Sequence, residues 1–307
     1  MSAATALRIQ SATCEAAFIA RCAVEALRLE LDTYPKPGLV SLVDSGSHDD
    51  MDAATFKASA AALEPYFCEL AEAGARGLGM DGLRRIGLAA EAAMLAATGG
   101  VNTHRGAIFG LGLLASAAGA LGAGVSSIRP GALGAHVART HAQGILNGPV
   151  LLHAPGARAR RRHGVGGAPA EAAAGFPTVY RIGLPALRHR LALRPDDPEA
   201  ARVEACFALI AATEDTNLLH RGGPDGLAFA RRAAAAFLAR GGVGQPDWRQ
   251  AAESAHRDFV ARRLSPGGAA DLLAMTVFVA RHEHAGRPRA LPLGHAGTGP
   301  SGKPASC

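Results

Sequence analysis

Apolar residues recur at intervals of three and four along most of the chain, and Ala, Gly and Ser fill much of the remaining surface of each repeat. That spacing marks helices with one buried face. It predicts helices over about Ser11–Leu31, Ala53–Ala75, Asp81–Ala97, Arg105–Gly119, Pro130–Gly144, Pro198–Ala212, Asp225–Arg240, Asp247–Arg262 and Gly268–His284. No segment alternates apolar and polar residues for long enough to predict a strand, and no fixed-period repeat is visible. The expected fold is all-α, a single compact multi-helix domain over residues 1–285 with polar loops between the helices. The Gly- and Pro-rich stretch 286–307 is expected to be a flexible tail. Gly106–Ile128 carries no charge and is long enough to span a bilayer, but it is mostly Ala, Gly and Ser, and a buried helix in a tight bundle is expected instead.

Three polar connections interrupt the pattern, at Tyr34–Asp52, Thr98–Arg105 and Leu146–Pro177, and a fourth polar knot lies at Glu214–Gly223. Loops of this kind carry function when a rigid scaffold holds them. In the first, Pro35 and Pro37 stiffen the backbone around Lys36, which suits a phosphate oxygen as a point charge. Beyond it, His48 precedes Asp49, Asp50 and Asp52, whose carboxylates could hold Mg²⁺ or could cap the helix expected at Ala53. The second knot, Gly99–Gly106, contains Asn102, Thr103, His104 and Arg105 ahead of a helix. It could cradle an anion on backbone amides or simply end one helix and begin the next.

The third knot holds the basic run Arg158–Arg162 and then Glu171, a site carboxylate or a surface acid near a helix start. In the fourth, Glu214, Asn217 and Arg221 share a face if the segment is helical, with Asp215 and His220 beside them. The alternative is a helix C-terminus that stops at Gly222.

Composition sharpens this only a little. Of 307 residues, 49% are hydrophobic and 5% aromatic, which favours an Ala/Leu-rich helical core. The net charge of +6 is compatible with a polyanionic substrate, but no basic run has interleaved aromatics, so no nucleic-acid partner is expected. Five scattered cysteines without a CxxC pair argue against disulfides and structural zinc, and a cytoplasmic setting is expected. Arg8 is not followed by an apolar core before Glu15, so no export signal or membrane anchor is expected.

Taken together and in order, PKPGLV (Pro35–Val40), GSHDDMD (Gly46–Asp52), GVNTHRGAIF (Gly100–Phe109), DTNLLHRGG (Asp215–Gly223) and LSPGGAADLLA (Leu264–Ala274) resemble the signatures of triphosphoribosyl-dephospho-CoA synthases. The resemblance runs from about Cys22 to about Arg281. It implies a pentosyl transfer in which ATP donates its 5-triphosphoribosyl group to the 2′-hydroxyl of 3′-dephospho-CoA and adenine leaves. The product would pass to a separate nucleotidyltransferase acting on the acyl carrier protein of malonate decarboxylase or citrate lyase. Such a reaction needs carboxylates for the oxocarbenium-like ribose and for proton transfer. It also needs cations for the triphosphate, with Mg²⁺ as the implied cofactor.

The candidates are Asp49, Asp50, Glu171, Asp215 and His104 for catalysis. For substrate binding they are Lys36, His48, Asn102, Thr103, Arg105, Asn217, His220 and Arg221, and for metal Asp49, Asp50 and Asp52. An oligomer is possible.

One stretch departs from the resemblance: Pro169 stands where an Arg is common, two residues before Glu171, and Ala154-Pro155-Gly156 replaces a His-Gly or Asn-Gly pair. Two other readings compete. A metal-dependent nucleotide phosphohydrolase would use His48-Asp49, and a basic helical nucleic-acid-binding protein would show a steep salt dependence and no turnover.

Overall fold

The computed structural model describes residues 3–122, 128–149 and 154–283. They form α1 (Ala3–Asp32), α2 (Ala53–Ala75), α3 (Met80–Ala97), α4 (Arg105–Leu121), α5 (Ala132–Leu146), α6 (Pro155–His163), α7 (Gly167–Ala173), α8 (Leu184–Leu193), α9 (Pro198–Ala212), α10 (Thr216–Ala239), α11 (Trp248–Ala261) and α12 (Gly267–His282). A π-helical turn over Val179–Gly183 leads into α8. Among the described residues there is no strand, and the fold is all-α with one continuous hydrophobic core. The stretch expected to be a flexible tail, 286–307, lies outside the described residues.

α4 and α12 form the centre. Each is buried on nearly all sides, so each reads as an almost unbroken apolar run rather than as a stripe. α2 lies directly on α4 because glycines let the two backbones touch: a Cβ on Gly74 would stand 1.8 Å from the Ser116 carbonyl oxygen, and one on Gly119 would stand 2.0 Å from that of Ala71. This contact explains the uncharged stretch from Gly106. Its small residues serve helix-on-helix packing, and no helix among the described residues is long and apolar enough to cross a membrane.

The helix starts follow the capping chemistry. Asp52 accepts from the Thr55 amide at 2.8 Å in a reciprocal box that opens α2, and Asp197 accepts from Ala200 ahead of α9.

The structure departs from the expected elements in four places. α1 begins at Ala3 rather than near Ser11. The connection Leu146–Pro177 contains two short helices, α6 and α7. α8 went unpredicted, because three of its ten residues are Arg or His and its apolar positions mark no clear face. Finally, Glu214–Gly223 is not a helix end. Asp215 caps a new helix at Thr216, and Gly222-Gly223-Pro224 only kinks it: Gly223 sits at φ 60°, ψ −163°, and the helix then continues to Ala239.

Candidate active site

Three helix starts meet around two carboxylates. Asp215 caps α10, with Oδ1 accepting from the amides of Asn217 (2.8 Å) and Leu218 (3.3 Å). Its Oδ2 accepts from the Ala269 amide at the start of α12 (3.0 Å), and the Gly268 amide also donates to it. Asp271, one turn into α12, faces the start of α4. The Ala107 amide donates to it, and a Cβ on Gly106 would lie 2.0 Å from its Oδ2. Gly106 is therefore the residue that lets this carboxylate approach the α4 backbone.

The electrostatics of the two differ. Burial pushes Asp215 up, while four backbone amides pull it back toward ionisation. Asp271 is raised well above the carboxylate range by burial and by the charges of Asp215 and Glu30, with only the Ala107 amide opposing.

Glu30, at the end of α1, extends the cluster. Lys36 is fully buried, and its Nζ donates to Glu30 Oε1 (2.5 Å) and to the Glu30 carbonyl (2.6 Å). Burial raises the Glu30 carboxyl and the Lys36 ammonium lowers it again. Lys36 is thus the counter-ion of a buried acid in this structure, rather than an open phosphate ligand.

His104 borders the same pair, since the Lys36 charge adds to burial in driving its imidazole down to about 3. It is therefore neutral near pH 7 and cannot act there as a cationic acid. Its Nδ1 lies 2.6 Å from Ser59 Oγ, and Thr103 Oγ1 donates to that same hydroxyl at 2.7 Å. The Ser59 hydroxyl thus links Thr103 to the Nδ1 side of the ring. Nε2 is buried without a hydrogen-bond partner.

A second group lies beside the first, on the loop before α2, the first half of α10 and the turn before α12. His48 Nε2 is 2.9 Å from Ser265 Oγ and its Nδ1 is 3.1 Å from Arg221. Arg221 also donates to the carbonyls of Ser47 (2.9 Å) and Arg263 (3.1 Å). Burial and the Arg221 charge keep the His48 imidazole below its usual range. Asn217 lies against Gly267, and His220 is exposed on the surface of α10.

The structure does not gather the three aspartates expected to hold a metal. Asp49 pairs with Arg263, Asp50 lies 3.5 Å from His48 Nδ1, and Asp52 spends its carboxylate on the α2 cap. Among the described residues, no group of three or more His, Cys, Asp or Glu is close enough to hold a metal ion. Two further candidates are occupied structurally. Arg105 pairs with Glu91, and its amide is capped by Asn102 Oδ1 at 3.1 Å. Glu171, raised by burial, accepts from the amide (2.7 Å) and hydroxyl (2.9 Å) of Thr178, closing its own segment.

The basic helix α6 packs on α10, where Gly156 and Gly167 lie against Thr216, the residue after Asp215. A surface recess of about 500 Å³ lies elsewhere, beside Arg190, Arg194 and Trp248, and none of the signature segments lines it.

Sequence reasoning missed Glu30 and Asp271. Asp271 carried a signal, as the single acid in a helix that is otherwise apolar until Arg281. Glu30 carried none, because its partner Lys36 lies across a helix end.

A helical protein that buries two carboxylates at three helix starts, with cations alongside, has the makings of a transfer enzyme acting on anionic substrates. The profile of the CitG family, ATP:dephospho-CoA triphosphoribosyl transferase, matches residues 16–289, and the chain belongs to that family. Among curated relatives, the 2-(5''-triphosphoribosyl)-3'-dephosphocoenzyme-A synthase of Pectobacterium atrosepticum is 42% identical over 260 residues, 82% of this chain and 84% of the relative. The proteins named "Probable 2-(5''-triphosphoribosyl)-3'-dephosphocoenzyme-A synthase" in Azotobacter vinelandii and Pseudomonas putida are 42% and 39% identical, covering 85% of this chain in both cases and 90% and 93% of those relatives. No solved structure matches the chain.

Proposed function

We propose that this protein transfers the 5-triphosphoribosyl group of ATP to the 2′-hydroxyl of 3′-dephospho-CoA and releases adenine, in the cytoplasm. The product would be the precursor of the prosthetic group on the acyl carrier subunit of malonate decarboxylase or citrate lyase, passed on to a separate nucleotidyltransferase. The observation that carries this reading is the meeting of family-signature segments that lie far apart in sequence. His48 reaches Ser265 across 217 residues, Asp271 reaches Ala107, and Asp215 reaches Ala269.

The chemistry fits those groups. Cleaving the glycosidic bond of ATP places positive charge on the ribose, which an ionised carboxylate stabilises in a site with little water. Asp215, held by amides on both oxygens, fits that task. The triphosphate stays intact and needs cations and amides. Arg221 and the arginines of α6 lie on the side of the site where α10 begins, and the α4, α10 and α12 starts add their positive ends. Mg²⁺ enters here bound to the triphosphate as part of the substrate, since the aspartates expected to hold it are otherwise engaged.

The same engagements count against the phosphohydrolase reading, because Asp49 turns to Arg263 and His48, with Asp50 3.5 Å from its Nδ1, belongs to no group of three or more His, Cys, Asp or Glu that could hold a metal ion among the described residues. Chromatography of a mixture of protein, ATP, Mg²⁺ and dephospho-CoA tests the reaction. Adenine should appear only when dephospho-CoA is present. Phosphate release with adenine still attached would refute the transfer. CoA, whose 3′-phosphate crowds the 2′-hydroxyl, should be a poorer acceptor.

A further inference from the structure

The transfer needs a proton delivered to adenine and another removed from the incoming hydroxyl, and the candidates expected from the sequence do not supply the first. His104 is neutral at pH 7, His48 is bonded to Ser265 and Arg221, and Glu171 is engaged with Thr178. Asp271 differs from all of these. It lies beside Asp215 at the meeting of the α4 and α12 starts, it has one backbone donor where Asp215 has four, and it keeps partial exposure. Nε2 of His104, two residues before Gly106, is buried without a hydrogen-bond partner. A buried ring nitrogen without a partner points to a ligand atom that completes it.

We infer that Asp271 is the catalytic acid of the reaction, donating its proton to the departing adenine while Asp215 remains the ionised carboxylate beside the ribose. This assignment rests on the transferase reading above. The C1′–N9 bond breaks with its electron pair going to the purine, and the Asp271 proton neutralises that ring. The 2′-oxygen of dephospho-CoA bonds to C1′ and gives its proton to Asp215, from which it returns to Asp271. The sum is neutral adenine and the triphosphoribosyl product, with both carboxyl groups restored.

The division of labour follows from the surroundings. Two neighbouring carboxylates do not both ionise easily, and the proton resides on the one with fewer donors. Asp215 has the amides of Asn217, Leu218, Gly268 and Ala269, whereas Asp271 has Ala107 and faces two negative neighbours. Asp271 thus holds a proton at pH values where an ordinary carboxylate has lost it.

Two measurements test the assignment. The first compares Asp271→Asn with wild type on ATP and on N7-methyl-ATP, whose purine is already cationic and leaves without an acid. Turnover of ATP should fall about a hundredfold or more, and turnover of N7-methyl-ATP by less than about fivefold. Equal losses on both substrates, or ATP turnover kept, would overturn the role. Asparagine keeps an acceptor for the Ala107 amide and is neutral like the protonated acid it replaces, so the fold should tolerate it.

The second measurement is the pH profile of wild-type kcat, which needs no variant. It should decline on the alkaline side, as Asp271 loses its proton. Glu30, Lys36, His104, Cys206 and Asp215 also face this interior and all remain in Asp271→Asn, so a decline caused by them would persist in that variant. A flat wild-type profile, or a decline that survives the substitution, overturns the assignment. Wild-type protein that releases no adenine from ATP fails the transferase reading itself, and this assignment with it.

Discussion

Lowering the pH should destabilise the protein through His104, and the size of the effect can be worked out. Burial and the nearby Lys36 charge hold its imidazole at about 3, against an ordinary value of 6.5. The unfolded chain therefore takes up this proton first. The contribution to stability is fully present above the unfolded value and is lost as the pH falls toward the folded one. Going from pH 7 to about pH 4.5 crosses two units of that gap, a loss of about 3 kcal/mol.

Asp271, Asp215, Glu30 and Glu171 act in the opposite direction. Their raised folded values mean that the native state binds their protons first, so their contribution grows as the pH falls and is lost as it rises through those values. A raw stability curve mixes both effects. The clean quantity is the difference between wild type and His104→Asn, whose amide can still meet the Ser59 hydroxyl. Urea unfolding across this range should show wild type losing about 3 kcal/mol relative to the variant. A difference that stays constant with pH would mean that the folded protein protonates His104 readily, and the buried, neutral imidazole described above would be wrong.

Asp52→Ala should lower Tm and leave adenine release unchanged, because its carboxylate serves the α2 cap; thermal melts alongside turnover decide this, and a lost turnover would restore a role in binding Mg²⁺. Pro169→Arg should raise kcat/KM for ATP or dephospho-CoA by about tenfold to a hundredfold, the worth of one charge-assisted phosphate contact. Pro169 lies in the first turn of α7, where an Arg is accommodated without loss of a helical hydrogen bond, and unchanged steady-state kinetics in the folded variant would show the position to be remote from substrate.

Much of the helical scaffold was legible because its helices are long and periodic, and α2, α3, α4, α9 and α11 begin and end close to where the apolar spacing puts them. α8 was not, since its two arginines and one histidine obscure the period. α10 was half legible: Gly222-Gly223-Pro224 looks like a stop in one dimension, but the chain re-enters the helix once Gly223 takes the left-handed φ that glycine permits.

The site was legible as segments and not as geometry. Asp215, His48, His104 and Arg221 stood out within polar knots. Whether Asp52 caps a helix or binds a metal, and whether Lys36 meets a phosphate or Glu30, depends on neighbours distant in sequence or across a helix end. Asp271 stood out as one acid in an apolar helix, but nothing in the sequence says that α12 brings it to Asp215 and the α4 start.

The backbone contact between α2 and α4 also has a mechanical meaning. Where carbonyl oxygens press on glycine α-carbons there is no layer of side chains to shear or rotate, so the two helices move as one strut. The α4 start, which carries His104 and the Ala107 amide, is the end of that strut and forms an unyielding wall. On the other side the short α6 leans on α10 ahead of the kink at Gly223, while α7 rests on α5 and touches α4. A nucleotide bound here therefore has one boundary that cannot give way, and the site must take its shape from that side.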